Sequence, residues 1–176
     1  KIALLLLCVI FVCSLAMGCG EDTEALDCLR IHIRANDNSR EGQAVKYAVK
    51  DKVVDCLTPV LAGAPSKRLA MEAVKSRLQA IRQLCEETLR ENGFDYGATV
   101  SLKREYFPLR SYNEFVFEGG YYDALIIELG DGRGDNWWCM VYPPLCFIGA
   151  EGEGGKVVYR SKILEIIESF KKKYFG

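Results

Sequence analysis

Histidine is nearly absent from this chain: His32 is the only one in 176 residues. An imidazole-rich metal centre needs several such ligands, so that class of site falls away. There is no Gly-x-Ser-x-Gly elbow, no His-Glu-x-x-His pair and no glycine loop ending in Lys-Ser/Thr. With them go the commonest short signatures of serine nucleophiles, metalloproteases and phosphate loops. Neither sign of charge dominates, with 23 Lys and Arg against 24 Asp and Glu. No basic footprint marks nucleic acid as a partner, and an apolar content of 49% is too high for a disordered chain. No cofactor or metal is expected. Tryptophan is scarce as well, but its two copies, Trp137 and Trp138, stand side by side.

What is present begins with an uncharged stretch. Lys1 precedes a small and apolar run from Ile2 to Met17, and no acid appears before Glu21. The run is shorter than the ~20 residues a membrane span wants. Its basic flank and small-residue ending, Ala16-Met17-Gly18, predict an export signal or membrane anchor over residues 1–18. Cleavage after Gly18 would leave Cys19 first, which opens a lipid-anchored alternative. Export permits disulfides, and eight cysteines are many for a chain of this size. Beyond the N-terminal three, Cys28, Cys56, Cys85, Cys139 and Cys146 make an odd set, so at least one stays unbridged or pairs between chains.

Residues 25–176 read as a single α+β domain: an antiparallel sheet packed with an N-terminal helical pair and a C-terminal amphipathic helix. Leu29, Ile31 and Ile33 alternate with Arg30, His32 and Arg34, a strand whose second face is polar or at an edge. Asn38-x-x-Glu41 offers a cap for a helix from about Arg40 to Leu57, striped by Val45, Val49, Val53 and Leu57. Ser66 caps a second helix, 67–90, with Val74, Leu78, Ile81, Cys85 and Leu89 inward. From Tyr96 the period becomes two. Val100, Leu102, Arg104 and Tyr106 line one face of a half-exposed strand, and Phe115-Val116-Phe117 forms a short one. Tyr121 to Leu129 forms a central strand, and a glycine loop, 130–136, turns it as a hairpin into the Trp137-Trp138 strand. There Trp137, Cys139 and Val141 alternate with Trp138, Met140 and Tyr142, until Pro143 and Pro144 end it. One reading is a core strand with a proline exit. The other is a rigid aromatic surface held by a Cys139–Cys146 disulfide loop. A flexible Gly/Glu-rich loop over 149–155 leads to a helix with Ile163, Ile167, Phe170 and Tyr174 on one face.

Several of these blocks are distinctive. Gly130-x-Gly132-x-Gly134-x-Asn136-Trp137-Trp138-Cys139, then Pro143-Pro144-Leu145-Cys146-Phe147, resemble the stage II sporulation protein R family of endospore-forming bacteria. So do Leu29-Arg30-Ile31-His32 with Ala35-Asn36 and Ser39, Phe107-Pro108 with Tyr112, and Gly120-Tyr121-Tyr122-Asp123-Ala124-Leu125. The resemblance implies a protein exported from the forespore to the space between the forespore and mother-cell membranes. There it would activate a membrane-embedded, aspartic-type receptor protease of the mother cell, which processes a sigma factor precursor. It implies binding and no chemistry on this chain, so no catalytic residue is carried over. Aromatics concentrate in this part of the sequence, and the expected contact residues are Tyr112, Trp137, Trp138, Tyr142, Pro143 and Pro144. The alternative is an exported cell-wall-binding protein or peptidoglycan hydrolase, with aromatics stacked on sugars and His32 or Asp135 in catalysis.

Overall fold

Leu29, Ile31 and Ile33 of β1 (Leu29–Arg34) are fully buried, and so are Arg30 and His32 between them. A strand hidden on both faces belongs inside a sheet. The computed structural model describes residues 28–112, 115–144 and 157–174, and places β1 there. The expected export signal or anchor over 1–18, Cys19, Cys146 and the 149–155 loop lie outside the described residues.

The chain leaves β1 through α1 (Arg40–Ala62), whose first turn is capped by the Ser39 hydroxyl accepting from the Gly42 amide at 3.0 Å. The cap is thus Ser39; Asn38 is used elsewhere. The Val45, Val49, Val53 and Leu57 stripe is buried as expected. The helix runs past the expected end at Leu57, through Pro59, to Ala62. Pro59 cannot donate to the Asp55 carbonyl, and both residues lie on the exposed side of the helix. Buried Leu61 and Ala62 hold the last turn down.

The second expected helix is two. α2 (Lys67–Lys75) and α3 (Leu78–Glu91) part at Ser76 and Arg77. Ser76 Oγ and an Arg77 guanidinium nitrogen both donate to the Ala73 carbonyl, at 2.9 and 3.0 Å. Side chains that bind nearby carbonyls compete with the backbone ladder, and here the helix restarts in a new direction.

β2 (Ala98–Phe107), β3 (Arg110–Tyr112), β4 (Phe115–Phe117), β5 (Gly120–Leu129) and β6 (Asn136–Tyr142) follow. β3 and β4 form a small hairpin of their own, while the main sheet has the order β2-β5-β1-β6. The α+β class stands, but the sheet is mixed. β2 pairs antiparallel with β5 and β6 antiparallel with β1, whereas β1 and β5 run parallel, Ile31 opposite Leu125 and Ile33 opposite Ile127. The expected β5–β6 hairpin does not form, because β1 lies between those strands.

Two apolar layers result. On one side α1, α2 and α3 cover Leu29, Ile31, Ile33, Leu125, Ile127 and Leu129. On the other, Phe107, Phe117, Tyr122, Ala124, Ile126 and Met140 meet Ile167 and Phe170 of α4 (Val157–Tyr174). Each fully buried aliphatic or aromatic side chain in these layers contributes roughly 1.5–3 kcal/mol relative to exposure. The alternation in β6 breaks near its end. Leu29 faces Tyr142 while Arg30 faces Met140, so Val141 is an extra residue. This bulge turns Tyr142 to the helix-covered layer with Cys139 and Val141, away from the face it was expected to share with Trp138.

Candidate functional site

Two loops distant in sequence interlock at one end of β1. The turn 35–39 and the glycine loop 130–135 exchange backbone and side-chain hydrogen bonds. Gly134 N–H donates to the Ala35 carbonyl at 2.8 Å and Arg133 N–H to the Asn36 carbonyl at 3.2 Å. The Asn36 carboxamide oxygen accepts from the Asp131 amide at 2.9 Å, and that of Asn38 from the Asp135 amide at 2.6 Å. Asn38 also donates to the Asp135 carboxylate at 3.2 Å. Beneath them Lys46 is only 1% exposed; its ammonium donates to the Gln43 carboxamide at 2.6 Å and to the Asp135 carbonyl at 3.1 Å. Burial lowers the Lys46 pKa, and the nearby Asp135 charge offsets part of that.

The glycines explain the closeness. Gly130 and Gly132 have φ of +55° and +62°, a conformation side chains resist. A Cβ on Gly134 would run into the Asp37 carbonyl, and one on Gly130 into the Asn36 carboxamide. The loop crosses the end of β1, and this crossing delivers β6 to the far side of β1 instead of back against β5.

Along β1 from this node runs a row of charge and aromatic rings. The Arg34 guanidinium pairs with Glu128, and at 2.9 Å with Glu105. The same Glu105 oxygen lies 2.6 Å from His32 Nδ1. Burial raises the Glu105 pKa, but the hydrogen bond from His32 and the charges of Arg34, His32 and Lys103 outweigh it and hold the carboxyl below its usual value. The His32 ring contacts Trp138, centroids 5.1 Å apart, and Phe107 at 5.9 Å. The Arg110 guanidinium sits 4.3 Å above Trp138. Arg30 is wholly buried, 4.3 Å from the Phe107 ring centre and 4.9 Å from that of Tyr122.

The structure divides the six expected contact residues. Trp138 is half-buried in the His32 row. Trp137, also half-buried, packs on the helix-covered layer, with the Lys50 ammonium 5.9 Å from its ring. Tyr142, Pro143 and Pro144 are buried, so they present little free surface. The Tyr112 side chain lies outside the described residues. Cys139 is buried, and Cys146, its expected disulfide partner, lies outside the described residues. His32 is not at an edge: strands flank β1 on both sides, and Phe107 and Trp138 shield the ring. Its Nε2 is buried, beyond the reach of a substrate in solution. Asp135 is a member of the loop lock. Glu105, Glu128, Lys46 and Arg110 were not singled out in the sequence, since nothing local joins His32 to a carboxylate 73 positions away.

The distinctive sequence blocks are therefore contiguous: 35–39 against 130–135, and 29–32 beside 138–142. A family model described as stage II sporulation protein R matches residues 25–152. The chain belongs to that family. A protein of Bacillus subtilis (strain 168) named "Stage II sporulation protein R" is 33% identical over 129 residues, which is 73% of this chain and 58% of that protein. The chain thus spans 58% of the length of that curated relative. No solved structure matches. Membership carries a role in sporulation.

Proposed function

We propose that this chain is an exported intercellular signal of sporulation. It leaves the forespore for the space between the two membranes and activates a membrane-embedded, aspartic-type protease of the mother cell, which then processes a sigma factor precursor. It acts by binding. A ligand can shift a receptor toward its active state only by binding that state more tightly, each tenfold preference being worth about 1.4 kcal/mol. What supports binding over the cell-wall hydrolase alternative is the employment of both candidate catalytic residues in structure. His32 is buried against Glu105, Phe107 and Trp138, and Asp135 closes the loop lock. The contact surface of this reading centres on Trp137 and Trp138, whose partly exposed rings lie on opposite faces of the edge strand β6. A Cys139–Cys146 bridge would fix the exit of that strand.

Reconstitution tests the reading. Co-expressed with the candidate receptor protease and the sigma precursor, the chain is expected to raise precursor cleavage. Trp138→Ala is expected to stay folded by circular dichroism and to lose most of that stimulation. Equal processing with and without the chain would refute the reading. Lysis of cell-wall material by the purified chain, abolished by Asp135→Asn, would favour the hydrolase.

A further inference from the structure

The two edges of the sheet differ. On β6, residues 139–142 are buried, whereas the middle of β2, from Ser101 to Tyr106, is half-buried to exposed. No strand pairs with the outer side of β2 among the described residues. A ten-residue edge strand therefore offers a row of backbone donors and acceptors. Beside it, between α2 and β2, lies a groove of about 590 Å³. Its apolar lining comes from Met71, Leu78 and Leu102. Its charged lining is four cations, Lys67, Arg68, Lys75 and Lys103, against two acids, Glu72 and Asp123. Both acids are already engaged: Asp123 by Lys67 and Glu72 by Arg68, each at 2.7 Å. Lys75 has no acidic partner among the described residues, and Lys103 only a loose one, 3.7 Å from Glu105. In a chain of net charge −1 this is a local positive excess.

We infer that the β2 edge and its groove form a docking site for an extended, acidic segment of a partner protein. The segment adds a strand to β2, places one apolar side chain on Met71, Leu78 and Leu102, and sets carboxylates against Lys75 and Lys103. Backbone pairing supplies affinity in this mode, and alternate side chains supply specificity. The charge of the edge also selects the occupant. A second copy of this chain, paired antiparallel about Lys103 and Arg104, would set cations opposite one another, which is unfavourable.

The probe is a phage-displayed library of linear ten-residue peptides panned on the full chain. The winning peptide is then synthesised and titrated by fluorescence anisotropy. Acidic sequences with a central apolar residue are expected to be enriched. Their binding should weaken about tenfold or more when Lys75→Glu and Lys103→Glu are combined, both exposed positions whose reversal leaves the core intact. Amide exchange from Ser101 to Glu105 should slow in the complex. Three results would each overturn the inference: no enrichment over background, binding that survives the double reversal, or β2 exchange that is unchanged by the peptide. Reversible self-association through β2, detected by sedimentation, would overturn it in favour of a second copy.

Discussion

Glu105 holds the charge balance of the row along β1, since one of its oxygens serves both His32 and Arg34. A carboxamide there keeps one acceptor oxygen but removes the negative charge that His32 and Arg34 share in a half-buried place. Glu105→Gln is expected to cost about 2 kcal/mol in chemical denaturation at neutral pH. The pH dependence has a definite sign. The folded-state pKa of Glu105 lies below its ordinary 4.5, so its contribution is fully present above that value and is lost as pH falls through the folded one. The gap between the native chain and Glu105→Gln should thus be steady near neutrality and shrink below about pH 4.5; a gap that widened on acidification would contradict the assignment. His32 itself illustrates what alternation conceals. Arg30, His32 and Arg34 read as a polar face or a sheet edge, yet each has found a ring or a carboxylate from β2, β5 or β6.

At the scale of elements, the loop lock makes a prediction that backbone conformation alone would reverse. Gly132 has the unusual φ, +62°, but a Cβ there meets only ordinary contacts, whereas a Cβ on Gly134 meets the backbone of Asp37. Gly132→Ala should cost about 1–2 kcal/mol, the usual penalty of a left-handed residue. Gly134→Ala should cost more, about 3 kcal/mol, since backbone on both sides must shift. Urea midpoints of the two variants decide the order. The elements themselves were legible because their periods are strong: the α1 stripe, the alternation in β1 and the apolar run of β5 are where the side chains said. The α2–α3 break was not, because two side chains bonding one carbonyl leave the apolar spacing of Val74, Leu78 and Ile81 intact. Nor was the order of strands. Periodicity tells which face a residue takes, never which strand lies beside it, so the short 130–135 connection looked like a hairpin when it is a crossing. The same gap hid most of the candidate site. Its aromatic half was visible as a local cluster around Trp137 and Trp138, but the carboxylates that organise it come from other strands.

For the whole molecule, the cysteines report how it is held. Cys85 is buried in the helix-covered layer, and burial, with smaller contributions from Glu86 and Cys56, pushes its thiol up to about 12. Thiolates react, thiols do not, so alkylation of the folded chain at pH 8 should modify half-buried Cys56 well before Cys85. Peptide mapping by mass spectrometry after timed quenching measures the order, and the unreduced map is expected to join Cys139 to Cys146. Equal rates at Cys56 and Cys85 would mean that the helical layer opens readily.

The place of β1 has a consequence for how the chain acquires its shape. This first strand finds both its neighbours, β5 and β6, about a hundred residues later, as the 94-residue span from Arg34 to its register partner Glu128 shows. The helices between, and the β2–β5 pairing, can form early from nearer contacts, but the loop that brings β5 to β1 must close before β1 gains a partner, and long closures are slow. A fragment of residues 28–112 keeps β1, three helices and β2, yet holds no strand that pairs with β1 or β2. It should show helical circular dichroism without a cooperative melt, regaining one only when residues through Tyr142 are restored. On that outcome, commitment to the native state waits for the stretch that carries Trp137 and Trp138, the last strand to reach β1.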